Sequence, residues 1–180
     1  RCMNNQREIG MALQKANRNR ELQVSTAGDG WVQQLLPFLE DDRRVLYCPA
    51  DFERTVLADP QSHPRESSFA MNNAVHRMGN GDGGKIVLVD YNKTDANPAT
   101  KENGYFTEVG AVKSSVSEQD DWIGFQAPRH MGHMNVLFWN GTVESMAPEW
   151  IDTRVCEYFE SYWRPTRVTT DLAGCSPSLL

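Results

Sequence analysis

The chain has 180 residues, with 18 Lys plus Arg against 24 Asp plus Glu and a formal charge of −6. At pI ≈ 5.2 it is a poor general nucleic-acid binder, because phosphate neutralisation needs a concentrated basic surface. No run reaches the ~18 apolar residues of a membrane span, while 5 Trp, 5 Tyr and 7 Phe suffice for the core of a single domain over 1–180.

Residues 2–20 place Cys2, Ile9, Ala12, Leu13 and Ala16 at helical steps, with Asn4, Asn5, Gln6, Arg7, Gln14 and Lys15 between them. That pattern predicts an amphipathic helix with one apolar stripe and a polar face. Residue 1 is no N-cap, so the helix reads as the remainder of a longer one. Asp29 is placed to cap a second short helix carrying Trp31, Leu35, Leu36, Phe38 and Leu39, which Pro37 bends or ends. Val45-Leu46-Tyr47-Cys48-Pro49 reads as a short extended piece stopped by proline. Residues 51–85 show little periodicity and read as a long irregular region.

Ile86-Val87-Leu88-Val89-Asp90 is an apolar run rich in β-branched residues, expected as a buried central strand ending in a carboxylate. Residues 91–104 read as a polar loop, Tyr105–Val112 as a weaker strand and Ser114–Asp121 as an acidic loop. Two strand-like runs between Asn135 and Met146 flank Asn140-Gly141, which predicts a hairpin with a two-residue type I′ turn. Pro148–Trp163 reads as a C-terminal helix with Trp150, Ile151, Val155, Phe159 and Tyr162 inward, and 150–180 as an extension tied back through Cys175.

The cysteines at 2, 48, 156 and 175 form no C-x-x-C pair, which argues against zinc ribbons and thioredoxin-like motifs. Of three pairings, Cys2–Cys48 with Cys156–Cys175 is expected, since each joins segments able to lie close together. In the chain-entropy treatment these bonds contribute about 4 and about 3 kcal/mol. They imply an extracytoplasmic location, the alternative being four buried thiols in a cytoplasmic protein. No Gly-x-Ser-x-Gly elbow, P-loop or dinucleotide fingerprint is present, so no enzyme is expected. His130 and His133 with Asp90 provide the residue types of a zinc hydrolase. Gly132 removes the helical meaning of their spacing, and His130 is expected instead to bond backbone near the hairpin.

Several pieces together are more specific. Cys2-Met3-Asn4-Asn5-Gln6-Arg7-Glu8-Ile9-Gly10-Met11-Ala12-Leu13 resembles the segment after the hydrophobic helix in a pseudopilin-like family. That family carries a prepilin-type N-terminal cleavage/methylation segment and a C-terminal H-X9-DG motif. Trp31–Glu40 is similar to its Trp…Leu-Leu-Pro-Tyr-Leu-Glu helix, Cys48-Pro49-Ala50-Asp51 to its Cys-Pro-x-Asp element, and Ser68–Asn72 to its Ser-Tyr-x-x-Asn segment. His130 and Asn140-Gly141 fit the H-X9-DG spacing, with Asn in place of Asp. The matches run in the family's order from residue 2 to about 150.

The resemblance implies an α+β, pilin-like headpiece: an N-terminal amphipathic helix on a small antiparallel sheet, with long loops and a C-terminal helix. It implies an upstream apolar helix that anchors the subunit in the inner membrane and later forms a filament core. The partners implied are further copies or other pilin-like subunits of a type IV pilus or type II secretion pseudopilus. Major pseudopilins similar to this family carry calcium in a late loop, which directs attention to Asp120 and Asp121, with Glu118, as calcium ligands. The competing reading is a secreted or cell-surface binding module for a glycan or other ligand, with Trp122 and Phe125 as its contact residues.

Overall fold

A computed structural model describes residues 1–18, 31–51, 67–91, 105–106, 126–152 and 155–166. The first helix, α1 (Cys2–Arg18), buries Ile9, Ala12, Leu13 and Ala16. Each large apolar side chain so buried contributes about 1.5–3 kcal/mol relative to exposure. Asn5 and Gln6, expected on the polar face, are buried too. Asn5 Nδ2 donates to the Tyr47 carbonyl at 2.8 Å and Gln6 Nε2 to the Asn135 carbonyl at 3.1 Å. These bonds fix the helix in register on the elements beneath it, at positions where apolar side chains would only adhere.

A short helix α2 (Trp31–Leu35) tightens into a 3₁₀ turn at Leu36–Leu39, where Pro37 sits in the first turn. Val45 and Leu46 are not extended as expected. They belong to a 3₁₀ turn, Arg43–Leu46, and the chain becomes extended only at Tyr47. The cause is Asp42, whose carboxylate accepts the Arg44 N–H at 3.0 Å and its guanidinium at 2.8 and 2.7 Å. The Arg44 side-chain bonds hold the Asp42 carboxyl down to about 2.

The sheet has five strands: β1 (Phe69–Asn72), β2 (Ile86–Asp90), β3 (Tyr105–Phe106), β4 (Met134–Phe138) and β5 (Val143–Met146). Their spatial order is β3-β1-β2-β4-β5. β1, β2, β4 and β5 pair antiparallel, and β3 adds to β1 in parallel. The architecture is therefore α+β, an N-terminal helix with a four-stranded antiparallel sheet and a short parallel addition.

β2 is the expected central strand. β1 is a correction, because it lies within the region read as irregular and is buried along its whole length. Of the strand expected over Tyr105–Val112, Tyr105 and Phe106 form one, and the rest lies outside the described residues. No helix among the described residues is long and apolar enough to cross a membrane.

Both faces of the sheet are covered, which explains continuous burial along β1, β2 and β4. On one face Phe69, Met71, Val87, Leu88 and Leu137 meet α1 and α2. Gly10 permits the close crossing, because a Cβ there would stand 3.1 Å from Leu137 Cδ1. On the other face Ala70, Ile86, Val89, Val136 and Phe138 meet Ile151 and Trp163.

That second layer is not the continuous helix expected over Pro148–Trp163. It comprises a 3₁₀ turn at Pro148–Trp150, a short helical turn α3 (Cys156–Tyr158) and a π-helical turn at Phe159–Trp163. Ile151 and Trp163 face inward, but Trp150 and Val155 are exposed, contrary to expectation. The layer is fastened by polar bonds. Asn72 Nδ2 donates to the Trp163 carbonyl at 2.9 Å, and Trp163 Nε1 to the Ile151 carbonyl at 2.7 Å. Asp82 accepts the Thr166 N–H and hydroxyl, each at 2.6 Å, and the Gly79 N–H at 2.8 Å. Burial alone would raise the Asp82 carboxyl; the Thr166 and Gly79 bonds, with Lys85 nearby, outweigh it and hold the group below its ordinary range.

The β4–β5 hairpin forms as expected, but through a different turn. Gly141 N–H donates to the Phe138 carbonyl at 2.9 Å and Phe138 N–H to the Thr142 carbonyl at 2.9 Å. Gly141 takes φ 87°, whereas Asn140 keeps a negative φ. That is the longer hairpin loop built on a type I turn with a glycine bulge, not a type I′ turn. Asn140 Oδ1 accepts the Thr142 N–H at 2.9 Å and its hydroxyl at 2.7 Å. An aspartate offers the same oxygen, so the exchange of Asp for Asn leaves these bonds intact.

Candidate functional site

One buried corner gathers residues from four distant parts of the chain. Cys2 opens α1, Cys48 follows the Arg43–Leu46 turn, Asp90 closes β2 and His130 lies in the tight turn before β4. Cys2 and Cys48 are joined as a disulfide across 46 positions, the first of the two expected pairings. Cys175 and the Cys156 side chain lie outside what the structure describes, so the second pairing is not placed.

Asp90 is fully buried. Its Oδ2 accepts the Asn135 N–H of β4 at 2.7 Å, so the carboxylate continues the β2–β4 pairing where the backbone ladder stops. The Cys2 sulfur lies 3.8 Å from Asp90 Oδ1. His130 Nε2 stands 3.3 Å from Asp90 Oδ2 and 3.5 Å from the Cys48 sulfur. The His130 ring therefore faces a carboxylate and a sulfur, not backbone near the hairpin as expected.

The backbone produces this placement. His130 and His133 exchange both N–H···O bonds at 3.1 Å around a turn in which Met131 and Gly132 take φ 54° and 85°. The turn leaves the His133 ring exposed, with Nδ1 3.3 Å from the Met131 carbonyl. His133 thus has no part in the corner, and the two-histidine arrangement of a zinc hydrolase is not formed.

Beside the corner lies an ion pair of the same depth. The Arg129 guanidinium sits 3.2 Å from Asp51, their side chains 8% and 2% exposed. Asp51 Oδ2 also accepts the Ser68 hydroxyl at 2.6 Å. Arg129 donates further to the carbonyls of Ser68 at 3.0 Å and Tyr91 at 3.2 Å, closing the ends of β1 and β2. A buried charge of this kind needs such bonds to offset its lost hydration.

Arg129 has no local signature in the sequence, where it is a lone Arg before a His. Asp51 and Ser68, which fall in the Cys-Pro-x-Asp and Ser-Tyr-x-x-Asn segments, are in direct contact. Asn140 and Gly141, grouped with His130 by spacing, sit instead at the far end of β4. There Asn140 N–H meets the Gly83 carbonyl at 3.1 Å and Trp139 N–H the Lys85 carbonyl at 2.8 Å. Asp120, Asp121, Glu118, Trp122 and Phe125 lie outside the described residues, so the calcium and ligand expectations are not placed.

In a nucleophilic relay the two ring nitrogens serve opposite partners. Here Nε2 alone faces both the sulfur and the carboxylate, so the donors converge on one point between them. Compared with family models, curated proteins and solved structures, the chain matches none.

Proposed function

We propose that this chain is the headpiece of a pilin-like or pseudopilin filament subunit, a structural protein whose mechanism is assembly. The observation that supports the reading is α1 laid along a four-stranded antiparallel sheet, bonded to it through Gln6 and to the preceding turn through Asn5. The segments carrying the family resemblance are also joined to one another: Cys2 to Cys48, Cys48 to His130, Asp51 to Ser68. In this reading an apolar segment upstream of Arg1 anchors the subunit in the inner membrane and later packs in the filament core. The compartment is extracytoplasmic, where a disulfide such as Cys2–Cys48 is able to form. Neighbouring subunits, identical or pilin-like, dock on exposed apolar side chains such as Met11 of α1 and Trp150.

The test is the coding sequence upstream of Arg1, followed by the location of the full-length protein. The expected upstream sequence is a short basic leader, a Gly-Phe-Thr-x-x-Glu-like processing site and ~20 apolar residues. The full-length protein should then co-purify with filaments sheared from the cell surface. An ordinary cleaved signal peptide, with the protein free in the medium, overturns the anchored-subunit reading.

A further inference from the structure

We propose that reduction of the Cys2–Cys48 disulfide converts this corner into a closed, four-ligand site for Zn²⁺, bound by Cys2, Cys48, Asp90 and His130. One donor atom from each residue lies within 4.8 Å of every other, three of the residues being buried and His130 half-buried. Two thiolates, an imidazole and a carboxylate form a donor set suited to zinc and not to calcium or magnesium. This proposal stands apart from filament assembly and needs neither an upstream helix nor a partner.

The distances carry the argument. Tetrahedral zinc, ~2.3 Å from sulfur and ~2.0–2.1 Å from nitrogen or oxygen, sets donor–donor edges of ~3.3 Å for N to O, ~3.6 Å for S to N or O and ~3.8 Å for S to S. The observed edges are 3.3 Å from His130 Nε2 to Asp90 Oδ2 and 3.5 Å from His130 Nε2 to the Cys48 sulfur. The Cys2 sulfur stands 3.8 Å from Asp90 Oδ1. The Asp90 edges run to different oxygens, so closing the site turns that carboxylate to bring one oxygen between Cys2 and His130, and breaking the disulfide lets the sulfur–sulfur edge lengthen. The Asn135 N–H on Asp90 Oδ2 supplies the outer-shell bond that orients a ligating carboxylate. With four protein donors the site has no open position, which makes it a structural cross-link.

The exchange balances through a dithiol reductant. One of its thiolates attacks a disulfide sulfur to give a mixed disulfide, and its second thiol resolves it. The reductant leaves as a disulfide, having passed two electrons and two protons to Cys2 and Cys48. Zn²⁺ then displaces the two thiol protons, so one cross-link between α1 and the Cys48 loop replaces another and adds the ends of β2 and the His130 turn.

The experiment is cobalt titration of the chain after reduction with dithiothreitol in mild urea, refolding and anaerobic removal of the reductant. One Co²⁺ per chain is expected, with the visible ligand-field bands of a tetrahedral ion and a near-ultraviolet thiolate charge-transfer band. Zn²⁺ should displace it and protect both thiols from alkylation. His130→Ala changes a half-buried ring at the surface, so its fold should survive while affinity falls on the order of 100-fold or more. If the reduced chain is unfolded, recovery of its circular dichroism on adding Zn²⁺ supports the site. Reduced chain that binds no tetrahedral cobalt, folded or not, overturns the proposal. So does equal binding by oxidised chain or by His130→Ala.

Discussion

Replacing Arg129 by Met isolates the cost of the buried ion pair. Methionine fills most of the volume of the arginine stem while removing the cation from Asp51 and the donors from the Ser68 and Tyr91 carbonyls. Breaking a buried pair by deleting one partner costs about 3–5 kcal/mol, a large share of the about 5–15 kcal/mol that holds a domain together. At a urea slope of about 2 kcal/mol/M, the unfolding midpoint should fall by about 1.5–2.5 M. The assay is urea unfolding followed by tryptophan fluorescence, with buried Trp31 and Trp163 as reporters. Asp51→Asn added to Arg129→Met removes the uncompensated charge and keeps an oxygen for the Ser68 hydroxyl. The double variant should therefore be more stable than Arg129→Met alone, its remaining deficit about 1–2 kcal/mol from the two carbonyls. A loss under about 1 kcal/mol for Arg129→Met, or a double variant showing the sum of both single losses, would refute the reasoning.

Three further outcomes are expected. Cys2→Ala with Cys48→Ala opens a loop of 46 positions and should lower stability by about 4 kcal/mol, read as a midpoint shift absent when wild type is measured in reductant. Because the folded Asp82 carboxyl titrates below its ordinary value of 3.8, its contribution is complete above that value and drains away as pH falls through the lowered one. Acid should therefore loosen the Thr166 attachment first, seen as amide exchange at Gly79 and Thr166, and Asp82→Asn should cost about 1–3 kcal/mol at neutral pH while flattening that acid limb. At the hairpin, Gly141→Ala should cost about 1–2 kcal/mol because φ is 87° there, whereas Asn140→Asp should stay within about 0.5 kcal/mol; thermal unfolding compares the two.

What the sequence made legible was what short-range pattern encodes. The apolar run of β2 and the Asn-Gly pair of the hairpin are local signals, and α1 announced itself through its stripe. β1 stayed hidden because Phe-Ala-Met-Asn has one strong strand former in four, and its extended form comes from pairing with β2 and β3. The Arg43–Leu46 turn was masked by an apolar string whose conformation is decided upstream, at Asp42. Over Pro148–Trp163 the apolar spacing suited a helix, but Ile151 and Trp163 are inward for a broken path bonded to Asn72. Asn5 and Gln6 are polar residues whose pattern points to solvent, because the carbonyls they bond lie 42 and 129 positions away. The corner itself was legible only as order. Cys48, Asp51, Ser68 and His130 appeared as separate motif fragments, and no spacing rule states that Cys2 reaches Asp90 across 88 positions.

The bonds that seat α1 also determine when it can be seated. Asn135, which receives Gln6, is synthesised 129 residues after it, and Trp163, which closes the opposite face, follows Asn72 by 91. A chain made in order therefore completes the Tyr47 part of the α1 seat early and the Asn135 part only 129 residues after Gln6. Contacts of such sequence separation form late and together, because each must overcome the entropy of the loop it closes. The helix therefore takes its final register only once β4 has joined the sheet.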